Sequence, residues 1–283
     1  MVKKNQNRIR VTDIAGSMES IASLLYDSKQ IEIHSRLYGN AYDYSAFSLL
    51  GLKILKNLAN EHDNCAKIGS SRGLLPKIIG LTELNPNAPE SGIKTAKLAL
   101  QLMGMLASST GSTGKALRKG ISEIVFAISN LRDVIHFREI TTHRLQILAI
   151  DILTSLALED DGREIIGSTG GVFRSLLSVF YMQRINNNII SGSGEDETKE
   201  LVTKAGEALA LLSLENKQNC QRMMSIKLRD QPNLITRLIS VLDDPVQGFH
   251  VARILRNLCA YAEADYVELR KSMQRRRRWS LFN

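Results

Sequence analysis

The sequence predicts an all-α fold whose helices stack as an α-solenoid of about five irregular repeats. Three observations carry this: apolar residues recur at helical spacing, strand signals are almost absent, and one helix–loop–helix pattern returns along the chain. The spacing is plainest at Leu145, Leu148, Ala149, Ile152, Leu153 and Leu156, three and four residues apart, so that they share one helix face. Against strands, aromatic residues make up 5% of the chain, and no Asn-Gly or Asp-Gly sits between alternating segments. The returning pattern is a run of Leu, Ile and Ala, a small polar loop, a glycine and another apolar helix. Its anchors, Leu58, Leu106, Leu156, Leu212 and Leu258, lie 48, 50, 56 and 46 residues apart.

In chain order, residues 1–45 are predicted to form a basic tail and a capping helix. Thr12 or Asp13 is suited to N-cap a helix through Tyr26 with Met18, Ile21, Ala22, Leu24 and Leu25 on its apolar side. The repeat array is assigned to residues 46–270. In its first copy a helix ends at Leu58, Gly73 turns the chain into a helix starting at Leu74, and Pro76 occupies the first turn, where a missing N–H costs nothing. The second copy, LQLMGMLASS, has Gly120 before Ile121; the third, IDILTSLALEDD, has Gly171 before Val172. Copies one and three agree best: Gly69 and Gly167 lie eleven residues after their anchors, Gly73 and Gly171 fifteen.

The fourth copy, EALALLSLENKQNC, is preceded by NNNIISGSGEDETKE, read as a mobile loop over about residues 186–200 that accounts for the 56-residue gap. Ser191 and Ser193 are phosphorylation candidates there. Pro232 and Pro245 lie in or near first turns. The fifth copy, ARILRNLCAYAE, is followed by no aliphatic partner helix or polar cap, which fits a chain cut from a longer array. Residues 271–283, KSMQRRRRWSLFN, form a basic tail.

Composition narrows the function. With 283 residues and 43% hydrophobic content the chain buries a substantial core. Cys65, Cys220 and Cys259 are scattered and form no C-x-x-C pair, which argues for a reducing compartment, cytoplasmic and/or nuclear, and against a disulfide framework. The longest apolar runs carry Lys97, Gln101 or Asp151 and fall short of the ~18 residues of a membrane span. The net charge of +8 resides in the ends; without the ten basic residues of positions 1–10 and 270–283 the body is near −2. That placement argues against nucleic acid as the partner. Arg275, Arg276, Arg277 and Arg278 leave a membrane surface or the nucleus open as a tail-directed destination.

Three motifs invite a chemical reading. Gly69-Ser70-Ser71-Arg72-Gly73 has the G-x-S-x-G spacing of a nucleophile elbow, but it follows a helix instead of a strand, and the matching third-copy loop has Thr169 in place of Ser71. GSTGK at Gly111–Lys115 resembles a phosphate loop but has Ser109 where the first glycine belongs and Ala116 after the lysine; it is read as an inter-helix turn. His62, Asp63 and Cys65 have no second ligand cluster for zinc, and His34, His136, His143 and His250 are isolated. No cofactor, metal or catalytic residue is therefore assigned, and the serine hydrolase reading is the weakest of three.

The phrase LKNLANEHDNCAKIGSSRGLLPKII and its weaker copies resemble the armadillo repeat, closest in wording to plant armadillo-repeat superfamily proteins, over about residues 46–270. The resemblance implies a right-handed superhelix of three-helix units, no catalysis, and a concave groove that holds extended segments of partner proteins. Importin-like grooves place Asn one residue before the anchor and Trp four residues earlier. Here those positions hold Asn57, Met105, Ser155, Leu211 and Asn257, and Lys53, Gln101, Asp151, Glu207 and Arg253, with no tryptophan. The groove candidates are these residues, and the departure argues against import of basic cargo. The expected function is a non-enzymatic scaffold binding a segment of another protein.

Overall fold

A computed structural model of the chain describes residues 2–26, 44–84, 90–137, 143–182, 194–226 and 233–261, and every regular element among them is a helix. The chain divides into two compact units, Met1–Gly162 and Arg163–Asn283. The first holds α1 (Val2–Asp13), α2 (Ser17–Ala22), α3 (Tyr44–Leu58), α4 (His62–Ser70), α5 (Leu74–Gly80), α6 (Glu90–Ala107), α7 (Gly111–Ser122), α8 (Ala127–His136) and α9 (His143–Leu156). After α10 (Asp160–Ser168), which carries the chain across the division, the second holds α11 (Val172–Phe180), α12 (Gly194–Leu212), α13 (Lys217–Met224), α14 (Leu234–Ile239) and α15 (Gly248–Cys259).

A long helix followed by two short ones recurs. Helices α3, α6 and α12 have 15, 18 and 19 residues, whereas the pairs after them have 9 and 7, 12 and 10, and 8 and 6. The five anchor leucines lie in the last turns of α3, α6, α9, α12 and α15, and all are buried. Burial of such a side chain stabilises by roughly 1.5–3 kcal/mol, which is why the pattern marks the core.

In the first unit α6 packs between α3 and α9, and α4 packs on both α1 and α7. Several contacts link residues about one anchor-to-anchor step apart. A Cβ on Gly69 would meet Leu117, and one on Gly104 would meet Ile152, both 48 residues on. Asn130 Nδ2 donates to Ile79 O across 51 residues. In the second unit α12 packs on α11 and α15, and Asn257 Nδ2 donates to Ala210 O across 47 residues.

Several local expectations change. Residues 2–13, read as a tail, form α1, which is tied to α4: Thr12 Oγ1 donates to Asn64 Oδ1 at 2.7 Å, Arg8 meets Glu61 at 3.1 Å, and Lys67 pairs with Asp13. Thr12 and Asp13 therefore close α1 and do not N-cap a helix to Tyr26. Gly16, at φ 77°, opens α2, which ends at Ala22. Gly73 and Gly171 do precede helices in the left-handed conformation, at φ 73° and 88°. Gly120 does not; it lies inside α7, and the turn comes at residues 123–126. Of the segment read as a mobile loop, residues 194–200 belong to α12, whose start carries the acidic run; Ser191 and Ser193 lie outside the described residues, as do Pro232 and the basic tail with Arg275–Arg278.

Candidate functional site

A helix leaves its last carbonyls without intrahelical donors, and where they are buried each needs another partner. After α3, Asn64 Nδ2 donates to Leu58 O at 3.0 Å and Cys65 Sγ to Ala59 O at 3.2 Å. After α12, Asn219 Nδ2 donates to Leu212 O at 2.9 Å and Cys220 Sγ to Ser213 O at 3.2 Å. Both asparagines are fully buried and reach further: Asn64 Nδ2 contacts Arg8 O of α1 at 3.4 Å, and Asn219 Nδ2 contacts Arg163 O of α10 at 2.9 Å. The same Asn-Cys dipeptide thus closes a long helix and ties neighbouring short ones. After α6 the work falls to Arg118, whose Nη1 donates to Ala107 O and Ser109 O while the guanidinium pairs with Glu159 at 2.8 Å. Burial pushes the Cys65 thiol up and the Cys220 thiol up to about 11, so both stay protonated donors at neutral pH.

The serine of G-x-S-x-G takes part in the same scheme. Ser71 Oγ donates to Lys67 O at 2.7 Å as the C-cap of α4, and Thr169 Oγ1 donates to Ile165 O at 2.9 Å at the matching end of α10. The hydroxyl does identical local work in both copies, which accounts for the Ser/Thr interchange. GSTGK is the first turn of α7, not a free turn, and a Cβ on Gly114 would lie 1.7 Å from Ser109 O. Both motifs line one shallow cavity of about 440 Å³ with Gly69, Ser70, Ser112, Thr113 and Gly120 over Leu75 and Leu117. Cys65 turns inward to Ala59 while His62 and Asp63 face solvent, and among the described residues no group of three or more His, Cys, Asp and Glu is placed to hold a metal.

The groove candidates fall on the long helices. In the first unit Lys53 and Asn57 are exposed on α3, Gln101 and Met105 half-buried on α6, and Asp151 and Ser155 half-buried on α9. Lys56 Nζ donates to Gln101 Oε1, joining the first two helices at this face. Ser155 Oγ donates to Asp151 O at 2.9 Å within its own helix. In the second unit Glu207 of α12 and Arg253 of α15 are half-buried. Asn257 differs from its copy Asn57: it is buried, and its amide donates to Ala210 O at 2.9 Å and Ser213 Oγ at 3.1 Å. Both its donors are spent on packing, which leaves none for a partner's backbone.

Between Glu207 and Arg253 lies His250, a residue the sequence did not single out for this face. It is buried against Gly206, and its Nδ1 has no hydrogen-bond partner. Burial first, and then the Arg253 charge, hold its pKa below the usual 6.5, with Glu207 acting in the opposite sense. The unfolded chain therefore binds this proton more readily than the folded one. Stability is complete above about pH 6.5 and falls as pH drops toward the folded-state value. Urea unfolding of the wild type at pH 7 and 5 should show that loss, and His250→Gln should reduce it.

The chain matches no known family model, and no curated protein matches it either.

Proposed function

We propose that this chain is a non-enzymatic armadillo-like solenoid that holds a segment of another protein along the exposed faces of its long helices. The carrying observation is α6 packed between α3 and α9, with the repeat-equivalent positions Lys53 and Asn57, Gln101 and Met105, and Asp151 and Ser155 left wholly or partly open. Stacking of like units accounts for contacts such as Gly69 with Leu117 and Gly104 with Ile152, each 48 residues apart. Asn57 takes the role of donor to a partner's backbone, and Asn257 does not.

Photo-cross-linking tests this reading. A benzophenone side chain at Asn57 or Met105 should give the same adduct in extracts, and one at exposed Lys119 of α7 should not. Equal adducts from Lys119, or none from the face, would place the interaction elsewhere.

A further inference from the structure

The first rung of that face is positive, whereas the body of the chain without its basic ends is near −2. Helix α3, YSAFSLLGLKILKNL, contains Lys53 and Lys56 and no acidic residue. Helix α6 contributes Lys94 and Lys97 against one acid, Glu90, and Lys94 pairs with Glu90 at 2.8 Å. Lys53 and Lys97 are exposed, each about one turn before the residues, Lys56 and Gln101, that join the two helices. One turn before Lys53, on the same side of α3, Leu50 is 50% exposed. Positive charge beside an uncovered apolar side chain calls for an occupant with both features.

Resting on the reading above, we infer that the α3–α6 face binds an acidic protein segment that sets a large apolar side chain on Leu50 and its carboxylates on Lys53 and Lys97. Opposite charges across such a face set specificity and speed encounter, while the apolar anchor supplies most of the affinity. A nucleic-acid strand fits less well, because phosphates leave Leu50 uncovered and the basic area spans only two helices.

The test is fluorescence anisotropy on the full chain with a labelled peptide of about twelve residues that repeats Glu-Glu-Leu-Phe. A peptide with Lys for each Glu and a single-stranded oligonucleotide of similar length serve as competitors. The acidic peptide should bind, weaken as salt is raised, and weaken about tenfold or more in Lys53→Glu/Lys97→Glu with the circular dichroism unchanged. A basic peptide or oligonucleotide bound as tightly as the acidic one would overturn the inference, as would a charge reversal without effect. Adducts from Asn57 together with failure of the acidic peptide would leave the face in place and reject its charge assignment; loss of both would reject the two together.

Discussion

Gly114→Ala is expected to destabilise the first unit by about 3 kcal/mol or more, whereas Gly120→Ala, six residues on in the same helix, should stabilise it by about 0.5–1 kcal/mol. The difference lies in what the new methyl group meets. At Gly114 it would stand 1.7 Å from Ser109 O, a backbone atom held in place by Arg118. That carbonyl has no room to retreat without releasing the end of α6. At Gly120 the nearest atom is Leu75 Cδ1 at 3.7 Å, an ordinary contact, and alanine costs less backbone entropy on folding than glycine. Thermal unfolding of the two variants reads both signs in one experiment.

Asn219→Ala should lower the stability of the second unit by about 3 kcal/mol, near the upper end for a polar truncation. The methyl group abandons Leu212 O and Arg163 O, both bonded at 2.9 Å, and the Arg222 guanidinium that donates to Asn219 Oδ1 at 2.9 Å. Two buried carbonyls then lose their side-chain donor. Substitution of exposed Gln218, next to it, should change stability by no more than about 0.5 kcal/mol. The neighbouring glycine belongs to the same assembly: a Cβ on Gly167 would lie 1.7 Å from Asn219 Oδ1, so Gly167→Ala displaces the asparagine and produces a related loss.

Much of the helical order was readable from the anchors. A leucine that recurs near every fiftieth residue amid three- and four-residue spacing has one simple explanation, and all five anchors are buried in the last turns of helices. The glycines in register at 69 and 167 were also visible, but as turns. They stand inside α4 and α10, where Leu117 and Asn219 of later helices approach them. Close approach and left-handed backbone both select glycine, and sequence alone does not separate the two. Gly120 has neither reason, since it lies inside α7 with Leu75 Cδ1 at 3.7 Å as its nearest contact, and only its place before Ile121 suggested a turn.

What escaped the sequence reading was the work of polar residues in the core. The Asn-Cys pairs at 64–65 and 219–220 are shared by the first and fourth copies, which differ by one residue in spacing from the anchor, so a search for fixed registers passes over them. At the corresponding place after α6 the donor is Arg118, a different residue type meeting the same demand for a partner. Asn57 and Asn257 look equivalent by position, yet one is exposed and the other buried because Ala210 and Ser213 lie within reach of only the second. The start of α1 read as a basic tail because Arg8 gives no hint in sequence that Glu61 neutralises it.

The idea on which the rest depends is that like units meet only their neighbours, and deletion of one period tests it most directly. Removal of residues 59–106 joins Leu58 to Ala107 and takes out 48 residues, one anchor-to-anchor step. Removal of residues 59–89 joins α3 end to end with α6 and breaks the phase. The first variant should keep the wild type's helical ellipticity per residue and a cooperative thermal transition, and the second should lose both. If the in-phase deletion unfolds as readily as the out-of-phase one, the units are not interchangeable and the stacked arrangement proposed for this chain is wrong.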